Sequence, residues 1–511
     1  MQDSIEQVYN TLNQYKATVV ERCEGYAEWT LPSIFPREGN TESDELQYDV
    51  QSFGAQAVNH LSNKLMIGLF NPSKSFFRLD AAQDFLDEME LAGVTVEVIQ
   101  SALQGAEREA VKELDRLGAR EPFTMILQLL IVTGNALLHF PKDGKLEVHT
   151  MRDYVIERDI TGFVTRMVLL DSKKFRALTQ KTQDQLLAIN PNHKPVDDIK
   201  LYTDVLWDHS TKKYTVHQYA DNVQITDDIT KGVYTKDTVP YVPLVWKLVR
   251  GANWGKGLVE DYAGDFHSLS TAERSSLEIV GVLAQIKGLV NPAGLTDVAE
   301  LNNTENGQWC SGREEDISLL SFDKLYQSMS VLESYIEKKE RRLSKAFLMD
   351  AAGVRDAERV TAEEIRLVAR DLEMSLGGVY TRLAQTFQLP IAKLLLERID
   401  FTIKGEQVEP IITTGLTALS RSGDLDSYRL FLQDASLLGQ VDEGVRAELD
   451  VQSILSFLAT NNNFDLDVAF KSPEQKQADQ EAQAAAEEQA VQDEVRMKAE
   501  PQLIAQQNEA Q

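Results

Sequence analysis

Cysteine is scarce in this chain: 511 residues contain only Cys23 and Cys310. They stand far apart with no partner spacing, which excludes a disulfide framework and a thiolate zinc site, fits a reducing compartment, and leaves two thiols expected to be inert. Long apolar runs are missing as well. No stretch of about eighteen apolar residues occurs, and the start, Met1 to Glu6, is polar and acidic rather than signal-like. A soluble chain made in the cytoplasm, without a membrane partner, is expected. Positive charge is in short supply, with 52 Lys and Arg against 80 Asp and Glu and a formal net charge of -28. No Lys/Arg-rich block stands out, so ordinary tight gripping of DNA is excluded.

Catalytic signatures are equally thin. There is no phosphate-binding G-x-x-x-x-G-K-[ST]; Trp254-Gly255-Lys256-Gly257 shares only the GK pair and reads as a turn. The seven histidines, His60, His139, His149, His193, His209, His217 and His267, are scattered, and neither H-E-x-x-H nor a Cys/His cluster with metal spacing appears. Glu363-Glu364 sits at a helix start, where acids favour the dipole, and Glu487-Glu488 is solvated, so neither pair points to acid/base chemistry. The expectation is no catalytic residue, no metal, no cofactor and no enzyme.

What is present is helix. From Ser321 to Asp350 there is no Gly or Pro, and Leu325, Leu332, Ile336, Leu343 and Phe347 recur with the spacing of one helical face. Ala351 to Val360 is small or charged and reads as an exposed loop. Thr361 and Glu364 then form a capping box, and Ile365, Val368, Leu372, Leu376, Val379, Leu383 and Phe387 carry a stripe to Pro390. Each of these helices would be about 45 Å long, and such a strut must bury its stripe against a neighbour.

The rest of the chain, long enough for about three domains, is read in order. Helices are expected over 3–29, 49–70, 81–117 with a break near Gly93, and 123–138, the last apolar almost all round and so buried. Short alternating runs at 146–149, 154–158 and 163–169 predict a meander, followed by a polar helical insert around 173–188. A hairpin is expected from 201–207 to 213–219, then an edge strand within 239–249, marked by Pro240 and Pro243. The Gly-rich turn 250–257 leads into a long helix over 259–285. An Asn- and Gly-rich insert, 286–320, would project between that helix and the one at 321–350. A short helix to Ile399, a loop-like 409–419 and helices at 426–438 and 443–458 follow. From Lys471 the Gln/Ala/Glu-rich tail has almost no core-forming residues and reads as a frayed helix or disorder. The fold class is mainly α with a smaller β part.

The basic run Lys338, Lys339, Arg341, Arg342 and Lys345 admits two readings. It decorates the end of a helix, where cations favour the dipole and Glu337 with Arg341 makes an i,i+4 pair. Alternatively, several copies in a ring present positive charge to a polyanion. Arg355, Asp356, Glu358 and Arg359 would then form a loop that touches DNA without gripping it.

With those residues in view the chain resembles the portal (head-tail connector) protein of short-tailed, podoviral phages. The likeness is carried by Tyr26-Ala27-Glu28-Trp29-Thr30-Leu31-Pro32-Ser33-Ile34-Phe35-Pro36, Leu61-Ser62-Asn63-Lys64-Leu65-Met66, Val132-Thr133-Gly134-Asn135-Ala136-Leu137-Leu138, Gly288-Leu289-Val290-Asn291-Pro292-Ala293-Gly294 and Glu358-Arg359-Val360-Thr361-Ala362-Glu363-Glu364-Ile365-Arg366. The resemblance implies a portal fold: wing over 1–258, stem helices over 259–285 and 321–350, clip over 286–320, tunnel loop over 351–360, a long wing helix over 361–399, crown over 400–470, and a tail of open role over 471–511. Within the clip, Asn291, Trp309, Arg313 and Glu314 are the docking candidates. It also implies a ring of twelve at one capsid vertex of the virion, assembled in the host bacterial cytoplasm, that nucleates procapsid assembly, conducts DNA during packaging and ejection, and docks the tail. The implied partners are double-stranded DNA, the terminase large subunit, scaffolding protein, major capsid protein, tail adaptor and internal core proteins. A helical scaffolding oligomer without a channel, or a nucleic-acid or glycan hydrolase, would be the alternatives.

Overall fold

The computed structural model divides into two units, Met1–Thr417 and Ala418–Gln511. It describes residues 4–412 apart from short breaks and a longer one at 350–370, and the second unit lies outside the described residues.

The chain opens with α1 (Ile5–Glu28), started by a capping box in which the Gln7 N–H donates to Ser4 Oγ (3.3 Å) and the Ser4 N–H to Gln7 Oε1 (3.0 Å). Next come α2 (Phe53–Leu69), β1 (Phe77–Ala81), α3 (Val96–Arg116) and α4 (Arg120–Val132). The sequence of α4 is apolar on nearly every side, and correspondingly Phe123, Ile126, Leu127, Leu129, Leu130, Ile131 and Val132 are all buried. This helix is the axis of the main core, packed against Val58, Leu61 and Leu65 of α2.

The helix expected over 123–138 therefore ends early, and β2 (Asn135–His139) takes its last residues. Gly134 is the cause. Its φ of +78° is left-handed, and a Cβ there would lie 2.3 Å from the Lys256 carbonyl carbon, so only glycine allows the two segments to meet. The buried Asn135 amide then clasps the Gly-rich turn, accepting from the Gly255 N–H (2.7 Å) and donating to the Gly255 carbonyl (2.9 Å).

Beyond β2 the β part follows: β3 (Glu147–His149), β4 (Tyr154–Arg158), β5 (Val164–Lys174), α5 (Gln180–Ile189), β6 (Asp198–Asp208), β7 (Lys213–Ala220), β8 (Val223–Gln224), β9 (Lys231–Tyr234) and β10 (Tyr241–Val245). The antiparallel order β4-β5-β6-β7-β8, with β9 also on β7, contains the anticipated β6–β7 hairpin and the pairing of 154–158 with 163–169, but 146–149 does not join that meander, because β3 turns back to pair with β2 in a separate sheet. The polar insert begins later than expected, because β5 runs on to Lys174 in register with β6. Both faces of this sheet are covered: Val155, Val168 and Tyr202 pack on Ile5 and Tyr9 of α1, and Tyr154, Ile156, Met167 and Val205 form a second core opposite. A three-stranded sheet of order β10-β2-β3 leaves the proline-bearing β10 at an edge.

The long helix expected over 259–285 breaks at Tyr262 into α6 (Leu258–Asp261) and α7 (Ala263–Leu283). The insert contains β11 (Gly288–Val290), α8 (Val298–Asn303) and β12 (Ile317–Leu319), and α9 (Asp323–Ala346) leads back. Thr361, Glu364, Ile365 and Val368 lie outside the described residues, whereas Leu372, Leu383 and Phe387 of the stripe are buried in the main core; from Gly378 the chain forms α10 (Gly378–Leu383), a π turn (Ala384–Gln388) and α11 (Leu389–Arg398). Pro390 thus does not end the helix, because the wide π turn before it accommodates a residue with no N–H. That turn is anchored where Phe387 meets Phe70 and Phe123, each at 5.0 Å, and where Tyr380 Oη donates to the Gly68 carbonyl (2.8 Å). The loop expected at 409–419 begins instead with β13 (Val408–Ile412), paired antiparallel with β1.

Candidate assembly site: the paired helices and their distal insert

α7 and α9 run antiparallel, with a base rooted in the main core and a far end carrying the insert. At the base Phe266 and Phe347 meet edge to face (5.6 Å), and Leu269, Leu343 and Phe347 are buried. Asp265, in the first turn of α7, accepts from Lys339 Nζ (2.8 Å) and pairs with Arg342 Nε (3.3 Å) near the end of α9. The Asp265 hydrogen bond raises the Lys339 pKa, so this cation stays charged across the ordinary pH range.

The basic run is thus divided. Lys339 and Arg342 go to Asp265, and Arg341 pairs with Glu337 on its own helix, as the i,i+4 spacing anticipates. Lys338 and Lys345 are exposed and enter no ion pair among the described residues. Nearer the middle of the pair, burial together with the charges of Glu273 and Glu337 raises the Glu340 pKa. Toward the far end, apolar residues beside the half-buried Leu332 and Ile336 are uncovered: Leu277 is 61% and Val331 72% exposed, and Val280, Val282 and Tyr335 are also in contact with solvent.

The insert is closed at its neck by β11 and β12, with Gly288 opposite Leu319 and Val290 opposite Ile317. Its organiser is Asp316, buried and unremarked in the sequence. One carboxylate oxygen accepts from the Leu295 N–H (2.9 Å) and the Thr296 hydroxyl (3.1 Å), and Thr296 Oγ1 accepts from the Arg313 N–H (2.9 Å). A Cβ at Gly294 would lie 2.4 Å from the Asp316 carboxyl carbon, so that glycine admits the carboxylate. Of the docking candidates, Asn291 donates its N–H to the Asp316 carbonyl (2.9 Å), Arg313 accepts the Asp316 N–H (3.1 Å), and Glu314 opens the 3-10 turn Glu314–Asp316. Trp309 stands off from that hub and is 99% exposed. Arg355, Asp356, Glu358 and Arg359 lie outside the described residues, as does Cys310. Burial pushes the Cys23 thiol up to about 12, in keeping with an inert thiol. Among the described residues no helix is long and apolar enough to cross a membrane.

Comparison with known families gives this helical pair and its insert a context. Residues 2–469 match the family of bacteriophage head to tail connecting proteins, and the chain belongs to it. The portal protein of Escherichia phage T7 is 32% identical over 435 residues, covering 83% of this chain and 80% of the relative. That of Enterobacteria phage T3 is 33% identical over 436 residues with the same coverages, and that of Enterobacteria phage SP6 is 30% identical over 511 residues, 98% of this chain and 96% of the relative. Among solved structures, a chain in the neck of an empty gene transfer agent particle covers 80% of this chain and 90% of its own length, at 12% identity and a TM-score of 0.38.

Proposed function

We propose that this chain is the portal subunit of a short-tailed phage. Twelve copies would form a ring at one capsid vertex that nucleates procapsid assembly, admits DNA driven by the terminase, retains it, and releases it through the tail. The observation that carries this reading is the 30–33% identity to portal proteins over at least four-fifths of each relative. The relatives are structural proteins, and the work of DNA translocation is assigned to a separate ATPase, consistent with the missing phosphate loop.

On this reading α7 and α9 are the stem, and their uncovered residues Leu277, Val280, Val282, Val331 and Tyr335 support lateral contact with a second copy. A face that repeats around a ring closes heterologously, each copy covering the next. The insert is the clip, with Asn291, Trp309, Arg313 and Glu314 as docking candidates for terminase and then tail adaptor. The exposed indole of Trp309 suits a docking anchor. Lys338 and Lys345 are the stem cations left for the DNA phosphates, and residues 351–360 are the tunnel loop. The wing would span 1–258 and 361–399, and the crown 400–470, although β13 is already joined to the body through β1. A net charge of -28 per chain supports a wall along which duplex slides without sticking.

The test is native mass spectrometry of the purified protein, paired with negative-stain imaging. A mass of about twelve chains with an axial hole is expected; a monomer or a filament that persists when scaffolding protein is added would overturn the ring.

A further inference from the structure

The seven histidines are dispersed in sequence, yet the fold gathers two of them with a glutamate. In the register of β2 and β3, His139 stands opposite Glu147 and Leu137 opposite His149. Glu147 and His149 are two residues apart on one strand and share a face, and His139, directly across from Glu147, shares it too. Their side chains converge. His139 Nδ1 lies 2.9 Å from Glu147 Oε2, His149 Nε2 lies 3.9 Å from the same oxygen, and the three ligand atoms all fall within 4.8 Å of one another.

We propose that His139, Glu147 and His149 form a binding site for a divalent transition-metal ion, with zinc as its occupant. Two imidazoles and one carboxylate are a donor set suited to that ion, and bonds of about 2.0–2.1 Å place tetrahedral ligand atoms about 3.3 Å apart. The present separations of 2.9 and 3.9 Å bracket that value. The ligands are also held. The His139 ring stacks flat on Tyr241 of β10, with centroids 4.5 Å apart and planes 6° from parallel, which fixes its orientation before any ion arrives. Both histidines are half-buried and Glu147 is exposed, and His139 and Tyr241 line a cavity of about 330 Å³, so an ion has a path to the cluster. Three protein ligands leave a fourth position for water. An ion there bridges β2 to β3, a strand of three residues at the edge of its sheet and weakly held by its own ladder.

The site is tested on the assembled full-length protein, equilibrated with zinc alone, freed of unbound ion, and assayed for metal by mass spectrometry alongside a thermal melt. One zinc per chain and a raised Tm are expected, and Glu147→Gln and His149→Asn should each weaken binding by more than about tenfold. Wild-type protein that retains no zinc overturns the proposal without reference to any variant. Binding that survives both substitutions also overturns it, because the ion then sits on other histidines.

Discussion

At the residue scale, two buried polar groups connect distant parts of the chain, and each has a measurable signature. Asn135 clasps Gly255 through both an accepted and a donated hydrogen bond. Asn135→Ala strands a buried N–H and a buried carbonyl, and it should cost about 2–4 kcal/mol, read as a lower urea midpoint. Lys16 reaches from α1 to the carbonyls of Met151 (2.7 Å) and Tyr154 (3.0 Å). Burial holds its pKa at about 8 against an ordinary 10.5. From about pH 8 to about 10 the unfolded chain therefore binds more protons than the folded one, and the Lys16 contribution to stability rises with pH by at most about 1.4 kcal/mol per unit. Wild type should gain on Lys16→Met across that window. A difference independent of pH would mean that the ammonium is not held off balance by burial.

At the element scale, the paired helices carry an unfavourable charge. Glu340 faces Glu273 and Glu337, and its raised pKa means that the charged form is disfavoured in the folded chain. Stability is lost as pH rises through the interval between the unfolded and folded pKa values, and the full cost is present at neutral pH. Glu340→Gln should raise the Tm at neutral pH, and the gain should fade once the pH falls below the ordinary glutamate value. The long elements were legible in the sequence because their apolar spacing is regular over many turns, as at Leu343 and Phe347. Short apolar runs were not. Ala136, Leu137 and Leu138 continue the pattern of α4 without a gap, and only the backbone demanded at Gly134 separates strand from helix. The strand at 408–412 was hidden for another reason, since its partner is β1, at 77–81. Asp316 left no local signal, because what makes it an organiser is the turn that brings Leu295 and Thr296 to its carboxylate.

At the scale of the whole molecule, the fate of the acidic surplus decides whether the reading of a conduit stands. Screening over roughly 10 Å at 0.1 M salt means that only wall residues near the duplex matter. The double substitution Arg355→Ala, Arg359→Ala should leave rings intact while shortening the packaged genome or lowering its retention; unchanged genome length and infectivity would remove that loop from the DNA path. The cations of α9 were legible in the sequence as a run, but their division was not. Spacing revealed the Glu337–Arg341 pair, whereas the capture of Lys339 and Arg342 by Asp265 needed two helices folded against each other.

The short β11–β12 ribbon has a consequence for descent. Because Gly288 and Leu319 are paired neighbours, the chain leaves and re-enters the helical pair across a gap of about 5 Å. Whatever lies between them need match only that gap. The intervening segment can therefore be exchanged, lengthened or trimmed while the register of the helices beneath it stays the same, and on the proposed reading of the insert as a docking clip a lineage could change its partners in this way. Among related phages, variation in length should collect between these two strands, and a foreign segment grafted there should leave the thermal melt and the oligomeric state of the protein unaltered.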